Sequence, residues 1–505
     1  MSVRRTAAGL ALLIVWSCSQ PPLDRGIITV GIYTSVANLD PRYATDAVSS
    51  RAHQLIFNSL LDLDANMRLA PNLADTWESE DYRTYVLKLH QGVKFHDGHQ
   101  LTSDDVLYTF DSILNPASSS PLRGAFRLVD SVKATDPYTV VFTLKEPSGS
   151  FLINLVAVHI VPKGAGRNFR EHPIGTGPYE FVSQVPDDRI ELRAFREYFE
   201  GLPRNRGIVL KVVPDDIMRA LELRKRTVDL VVNDTPPDIA YQLQKEGLQL
   251  ITAPGANYQY IGLNLLDPLL KDIRIRHALG YAIDRQAIIE YLRRGLASPA
   301  MGVLPRANWA FEPDVFDFEY DPDAARELLD EAGYPDPDGS GPRARMRLSL
   351  KVSNTEFNRL QSAVIQQNLR DVGIDVDVRT YEFATLYADM NKGNFQMFTL
   401  QWAGGATADP DILSRIFHSR QVPPLGFNRG HLSDPELDRL IDEATLATGQ
   451  DERRVRYGDV QRRVAELSPY ISLWHEINSV IAQPGLTRIE LTPQIDYNFL
   501  RNVSR

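Results

Sequence analysis

At 505 residues the chain is too long for one ordinary core, and a typical domain of ~150 residues predicts about three compact units. Hydrophobic residues at 43% and charged residues at 24% give the balance of a soluble globular protein rather than a disordered or membrane-embedded one. A net charge of −10, without a cluster of Lys and Arg, argues against a nucleic-acid surface, which needs concentrated positive charge to meet phosphates.

Arg4 and Arg5 precede an apolar run, Ala7 to Trp16, followed by Ser17 and Cys18. This is the outline of a signal peptide. The run is about half the ~20 residues a membrane-crossing helix needs, so export is the expectation rather than a permanent span. Cys18 is the only cysteine, which excludes an intramolecular disulfide.

After Pro21 and Pro22, Ile28, Val30 and Ile32 alternate with smaller residues and predict a first strand. Tyr85, Leu87 and Leu89 share one face of another, and Asp97-Gly98 marks a tight turn. Thr102 or Ser103 caps a following helix whose Val106, Phe110, Ile113 and Leu114 fall on one side. Val140, Phe142 and Leu144 form a strand between Asp136-Pro137 and Glu146-Pro147, completing a small α+β unit. Gly175 and Gly177 suit a turn, strands resume at Ile190–Leu192 and Val209–Val213, and Ala220–Leu223 then Val228–Val232 read as helix and buried strand. Farther on, Asp321 caps a helix with Pro322 in its first turn and Gly333 at its end. Phe357–Asp371 is a helix stopped by Gly373, and Ile374, Val376 and Val378 form a strand. Ser433 with Glu436 predicts a capping box before Leu437, Leu440, Ile441 and Ala444.

The chain lacks HExxH, GxSxG, Walker A and GxGxxG patterns. His96 and His99 flank a turn, where solvation is expected rather than a metal site, and His475-Glu476 lacks the second histidine of a zincin. Asp104-Asp105 is explained by helix capping. No cofactor, metal site or enzymatic activity is expected, and a hydrolase is the weakest of the competing readings.

Several motifs occur in a fixed order: Leu73-Ala74-Asp75-Thr76-Trp77, GVKFHDG at 92–98, LTSDDVLYTF at 101–110, IGTGPY at 174–179, DIRIRHALGYAIDR at 272–285, WAGGATADPD at 402–411 and SPYISLW at 468–474. Together they resemble the family 5 extracellular solute-binding proteins, the dipeptide, oligopeptide and nickel group of ABC importers, over almost the whole mature chain. The resemblance implies an α/β, two-lobed periplasmic-binding-protein-like fold (class II) with an extra α+β domain, three domains in total. Domain I would combine residues 27–55, 173–262 and 476–505, domain II residues 56–172, and domain III residues 263–475, after a leader and linker at 1–26. It implies capture of peptides or peptide-like solutes between the lobes, with a metal chelate, haem, an opine or an oligosaccharide as alternatives. The partners would be permease subunits with cytoplasmic ATPases, the protein itself a monomer in the periplasm or at the cell surface. The position of Cys18 resembles a lipoprotein acylation site, although Val15 and Trp16 depart from that pattern, and a lipid anchor there would be the sole link to the membrane.

By the same resemblance, Thr34, Ser35 and Val36 and the segment Trp402, Ala403, Gly404 and Gly405 approach the ligand, with Trp402 as an apolar wall and the glycines allowing close backbone approach. Peptide-binding relatives carry an aspartate three residues after this Trp, paired with the ligand's ammonium; here that position is Gly405. Asp409 either takes a turn or capping role before Pro410 or moves into the ammonium-binding role.

Overall fold

The computed structural model describes residues 26–505 except 45, 167 and 340, so Cys18 and the leader lie outside the described residues. One sheet of 11 strands organises the molecule. From edge to edge its order is Ile374–Tyr381, Met346–Ser353, Met397–Trp402, Gln249–Leu263, Tyr470–Ala482, Leu230–Val232, Ile27–Ile32, Gly207–Val212, Arg189–Ala194 and Tyr179–Val185, with Ala297–Pro299 beside Tyr470–Ala482. The first strand is parallel to both neighbours and buried along almost its whole length, as strands of parallel sheets usually are.

Two long antiparallel strands, Gln249–Leu263 and Tyr470–Ala482, lie at the centre and belong to both halves of the sheet. Their ends near Gln249 and Ala482 join the half built on Ile27–Ile32, and their other ends join the half built on Met346–Ser353. The ladder is interrupted between Pro254 and Tyr258, where the first strand holds more residues than its partner. Separate hydrophobic clusters fill the two halves, one around Val30, Leu55 and Leu210, the other around Leu279, Leu350 and Ile365.

A third cluster lies beneath a four-stranded antiparallel sheet, Ala74–Glu78, Thr84–Leu89, Thr139–Leu144 and Val129–Asp136. Its helix Ser103–Leu114 begins with a reciprocal cap in which Thr102 pairs with Asp105. The GVKFHDG turn docks on the IGTGPY segment: the His96 amide donates to Gly175 O at 2.9 Å, and the His96 ring meets Gly177 O at 3.0 Å and the Gly175 amide at 3.2 Å. His96 is therefore a structural clasp rather than the solvated turn residue its sequence position suggests. A Cβ at Gly175 would lie 1.9 Å from Ile56 O, so that contact admits only glycine.

The helix Pro322–Glu331 is capped by Asp321, and Gly333 follows in the left-handed region. The helix Pro435–Leu446 corrects the sequence expectation: Asp434, not Ser433, is its cap, because Pro435 occupies the first turn and the Asp434 carboxylate reaches the Leu437 amide at 2.8 Å.

His475 on the central strand is buried, its ring Nε2 3.2 Å from Val303 O. Burial lowers its pKa to about 4, against the opposing pull of that carbonyl. Between that value and the ordinary 6.5 the unfolded chain binds a proton that the folded protein does not. The stability contributed by His475 is complete above pH 6.5 and falls as pH drops toward 4, by about 1.4 kcal/mol per pH unit. Urea denaturation of wild type and His475→Gln across this range is expected to show a shallower acid loss in the variant; parallel curves would remove His475 from the account.

Candidate ligand-binding site

In open α/β sheets, ligands lie outside the carboxyl ends of the parallel strands. Here the chain leaves Ile27–Ile32 at Tyr33 and Leu230–Val232 at Asn233. Tyr33, Asn233 and Asp234 wall one side of a 480 Å³ cavity, whose opposite wall holds Arg293, Leu296 and Phe357 from the other half. Glu476 and Ser479 of the central strand Tyr470–Ala482 form its floor. Both halves of the sheet thus contribute to one open-sided cavity.

Asn233 sets the geometry at the strand end. It adopts φ 56°, which an Asn tolerates better than most residues. Its Nδ2 donates to Asn478 Oδ1 at 3.0 Å, its Oδ1 accepts the Ser479 amide at 2.7 Å, and its own amide donates to Ser479 O at 2.8 Å. Asn478 in turn donates to the carbonyls of Thr492 and Pro493. Asp234 follows at once on this fixed turn.

The first expected segment divides in its behaviour. Thr34 is exposed, Ser35 Oγ donates to Asp187 Oδ1 at 2.6 Å, and Val36 is buried in the hydrophobic cluster beneath. Only the main chain and the Thr34 side chain are thus open to an incoming group, whereas the Val36 side chain packs into the core.

Trp402 ends the strand Met397–Trp402, opposite Tyr258. It is half-buried, edge-on to Phe427 at 5.3 Å and 5.8 Å from the Arg429 guanidinium carbon, and its Nε1 is shielded without a hydrogen-bond partner among the described residues. Ala403 and Gly405 are exposed, and a Cβ at Gly405 would meet open space. Gly404 is buried: a Cβ there would come within 2.9 Å of the Ala256 Cβ, so the glycine serves close approach to the central strand.

A polar chain joins this segment to the cavity floor. The Gly404 amide donates to Asn257 Oδ1 at 2.9 Å, Asn257 Nδ2 donates to Glu476 Oε2 at 3.1 Å, and Arg293 donates to Glu476 Oε1 at 3.0 Å. Arg293 also lies over the Phe357 and Trp474 rings. Asn257, Arg293 and Asp234 are not singled out by the sequence, and Glu476 only as part of a rejected zincin pattern. The available signal was positional: Asn233-Asp234 directly follows a buried strand, Val228–Val232, at the end where ligands bind.

Asp409 is already engaged. Both carboxylate oxygens meet the Arg453 guanidinium, at 3.0 and 2.5 Å, and Oδ1 also accepts the Asp411 amide. Arg453 reaches onward to Gly149 O at 3.4 Å, and Gly149 lies against Ala447 and Thr448. The unit with the four-stranded sheet therefore directly touches the distal half, the one built on Met346–Ser353. Met67, Ala256 and Ala408 form a second small apolar contact between the same parts.

Residues 68–423 match the model of the bacterial extracellular solute-binding proteins, family 5, middle region. The chain belongs to this family. It is 31% identical to the glutathione-binding protein GsiB of Pectobacterium atrosepticum, over 99% of this chain and 98% of that one. It is 28% identical to the oligopeptide-binding protein AppA of Bacillus subtilis, over 94% and 91% of the two chains. The structure of that AppA in complex with a nonapeptide superposes with a TM-score of 0.76 at 27% identity, covering 95% of this chain and 98% of the other. NikZ of Campylobacter jejuni in complex with Ni(L-His) superposes with a TM-score of 0.77 at 25% identity, over 95% of this chain and 100% of that one. The fold is the two-lobed α/β fold of this family, and the protein is a solute-binding protein. No helix among the described residues is long and apolar enough to cross a membrane.

The Asp409–Arg453 pair is well buried, with side-chain exposures of 14% and 7%. Arg453→Met leaves a shielded carboxylate without its partner and is expected to lower the unfolding free energy by about 3–5 kcal/mol. Adding Asp409→Asn should recover much of that loss in urea titrations. A loss below about 1 kcal/mol in the single variant would reduce the pair to an ordinary surface contact.

Proposed function

We propose that this protein captures a short peptide, or a peptide conjugate of glutathione type, between its lobes and presents it to the permease subunits and ATPases of an ABC importer. The carrying observation is a cavity lined from both halves of the sheet at the carboxyl ends of the parallel strands. Its 480 Å³ lies within the ~300–1,000 Å³ of ordinary small-ligand pockets. The glutathione-binding and oligopeptide-binding names of its relatives support the class of ligand. An extended nonapeptide would span roughly 30 Å, so the cavity favours a shorter ligand. A receptor for a metal chelate is the second reading, supported by the likeness to NikZ with Ni(L-His).

In this reading Thr34, Ser35 and Val36 offer main-chain groups from one lobe and Trp402 to Gly405 from the other, and main-chain pairing holds peptides without reading their sequence. The lobes comprise domain I at 27–55, 173–262 and 476–505 with domain II at 56–172, and domain III at 263–475. The distribution of the hydrophobic clusters supports this division. The protein acts as an exported monomer that binds and releases its ligand unchanged.

Native mass spectrometry of protein purified from its host is expected to show one small ligand retained per chain, and calorimetry to show saturable binding of glutathione or of tri- to pentapeptides. Protein that ignores a broad peptide set, or that hydrolyses a bound peptide, would overturn the reading. Cys18 is the proposed acylation site. Cys18→Ser is expected to shift the protein from the membrane fraction to the soluble one, and an unchanged distribution would exclude an anchor at that residue.

A further inference from the structure

The cavity holds a negative charge that the protein leaves without a hydrogen-bond donor. Of its ionisable lining groups, Arg293 and Glu476 pair at 3.0 Å. Arg219 directs its donors to main chain: Nη1 to the carbonyls of Val213 and Pro214, Nε and Nη2 to the carbonyl of Asp234. Asp216 sits in the first turn of the helix Asp216–Arg224, where the helix dipole favours a carboxylate. Asp234 has no such arrangement. Its Oδ2 is shielded from solvent and accepts no hydrogen bond among the described residues.

The surrounding chain explains why no donor arrives. The helix Pro237–Lys245 starts just after Asp234, and helix N-termini ordinarily supply free amides to nearby anions. Here Pro236 and Pro237, the cap and first residue of that helix, have no amide hydrogen to offer. Arg51 acts on Asp234 at a distance, while its guanidinium lies over the Tyr497 ring, 5.7 Å from the centroid. Burial raises the Asp234 pKa to about 6, with Arg51 and Arg219 pulling it down. Asn233 holds the turn with three hydrogen bonds to Asn478 and Ser479, so the carboxylate is placed by a rigid backbone.

We propose that Asp234 is the ammonium-recognition group of the cavity, so that the ligand is a peptide or amino-acid conjugate with a free primary amine seated against this carboxylate. The inference rests on the peptide-capture reading and names the feature of the ligand that is read. A carboxylate oxygen shielded without donors is unfavourable, whereas an ammonium supplies both opposite charge and directed donors. The shielded oxygen therefore carries a penalty that an amine-bearing ligand removes, and binding favours ligands that provide the amine.

The test is calorimetry of wild type and Asp234→Asn with tri-alanine, N-acetyl-tri-alanine, glutathione and N-acetyl-glutathione, together with melting curves. Acetylation is expected to weaken binding to wild type by about 10- to 100-fold, the range of one charge-assisted hydrogen bond. Asp234→Asn should lose a similar factor for the free amines and none for the acetylated pair. Without ligand the variant should melt no lower than wild type, since it loses an uncompensated charge, yet its ligand-induced shift should shrink. Wild type that binds free and acetylated ligands equally, or a variant that keeps wild-type affinity for the free amines, overturns the role of Asp234 and leaves peptide capture standing. Wild type that binds none of the four, alongside failure with a broad peptide set, overturns both.

Discussion

The rest of the structure depends on the pairing of Gln249–Leu263 with Tyr470–Ala482. These are the two strands that both halves of the sheet share, and every other strand is placed relative to them. A continuous ladder resists sliding, because slipping by one residue would turn buried side chains to the opposite face. The interruption between Pro254 and Tyr258 lies within this pair, and the residues beside it carry the polar groups of the candidate site. Asn257 and Glu476 bond to each other across it, and Asn478 reaches from the same strand to Asn233. The element that holds the two halves together is thus also the one from which the cavity floor is made.

The electrostatics follow from that placement. Charges that line a cavity between two halves of a protein lose part of their hydration, so partners stabilise them. Arg293 and Glu476 stabilise each other from opposite directions: one comes from the distal half, the other from the shared strand, and their contact ties the two together. The main-chain carbonyls at Val213, Pro214 and Asp234 do so for Arg219. Asp409 and Arg453 do the same outside the cavity lining, close to the contact at Gly149. Asp234 is the exception among the acidic groups, which makes it informative about what the cavity receives.

What could be read from the sequence was whatever is decided locally. Asp321, Pro322 and Gly333 bound a helix through interactions confined to a few residues, and the alternation at Ile374, Val376 and Val378 reports one buried face. At Ser433-Asp434 two residues could each cap, and Pro435 decided in favour of Asp434 because it fits the first helical position. His96 was misplaced for the opposite reason. Its surroundings are made by Gly175 and Gly177, about eighty positions away, and no local pattern announces that contact. The cavity has the same character, since Asp234, Arg293 and Glu476 share no spacing and meet only after the central strands have paired.

This difference in origin separates scaffold from selectivity. The family-like motifs are largely occupied with architecture: Gly175 accommodates Ile56, Gly404 accommodates Ala256, and His96 fastens one turn to another. None of these contacts distinguishes one solute from another. Gly404 also donates its amide to Asn257, so that one group is spent on structure, while Gly405 brings no side chain. Discrimination must then come from groups whose bonding the fold leaves incomplete. Exposed polar groups do not qualify, because water satisfies them equally in the presence of any ligand. A shielded carboxylate oxygen at the end of a parallel strand does, since its energy changes with the charge placed beside it.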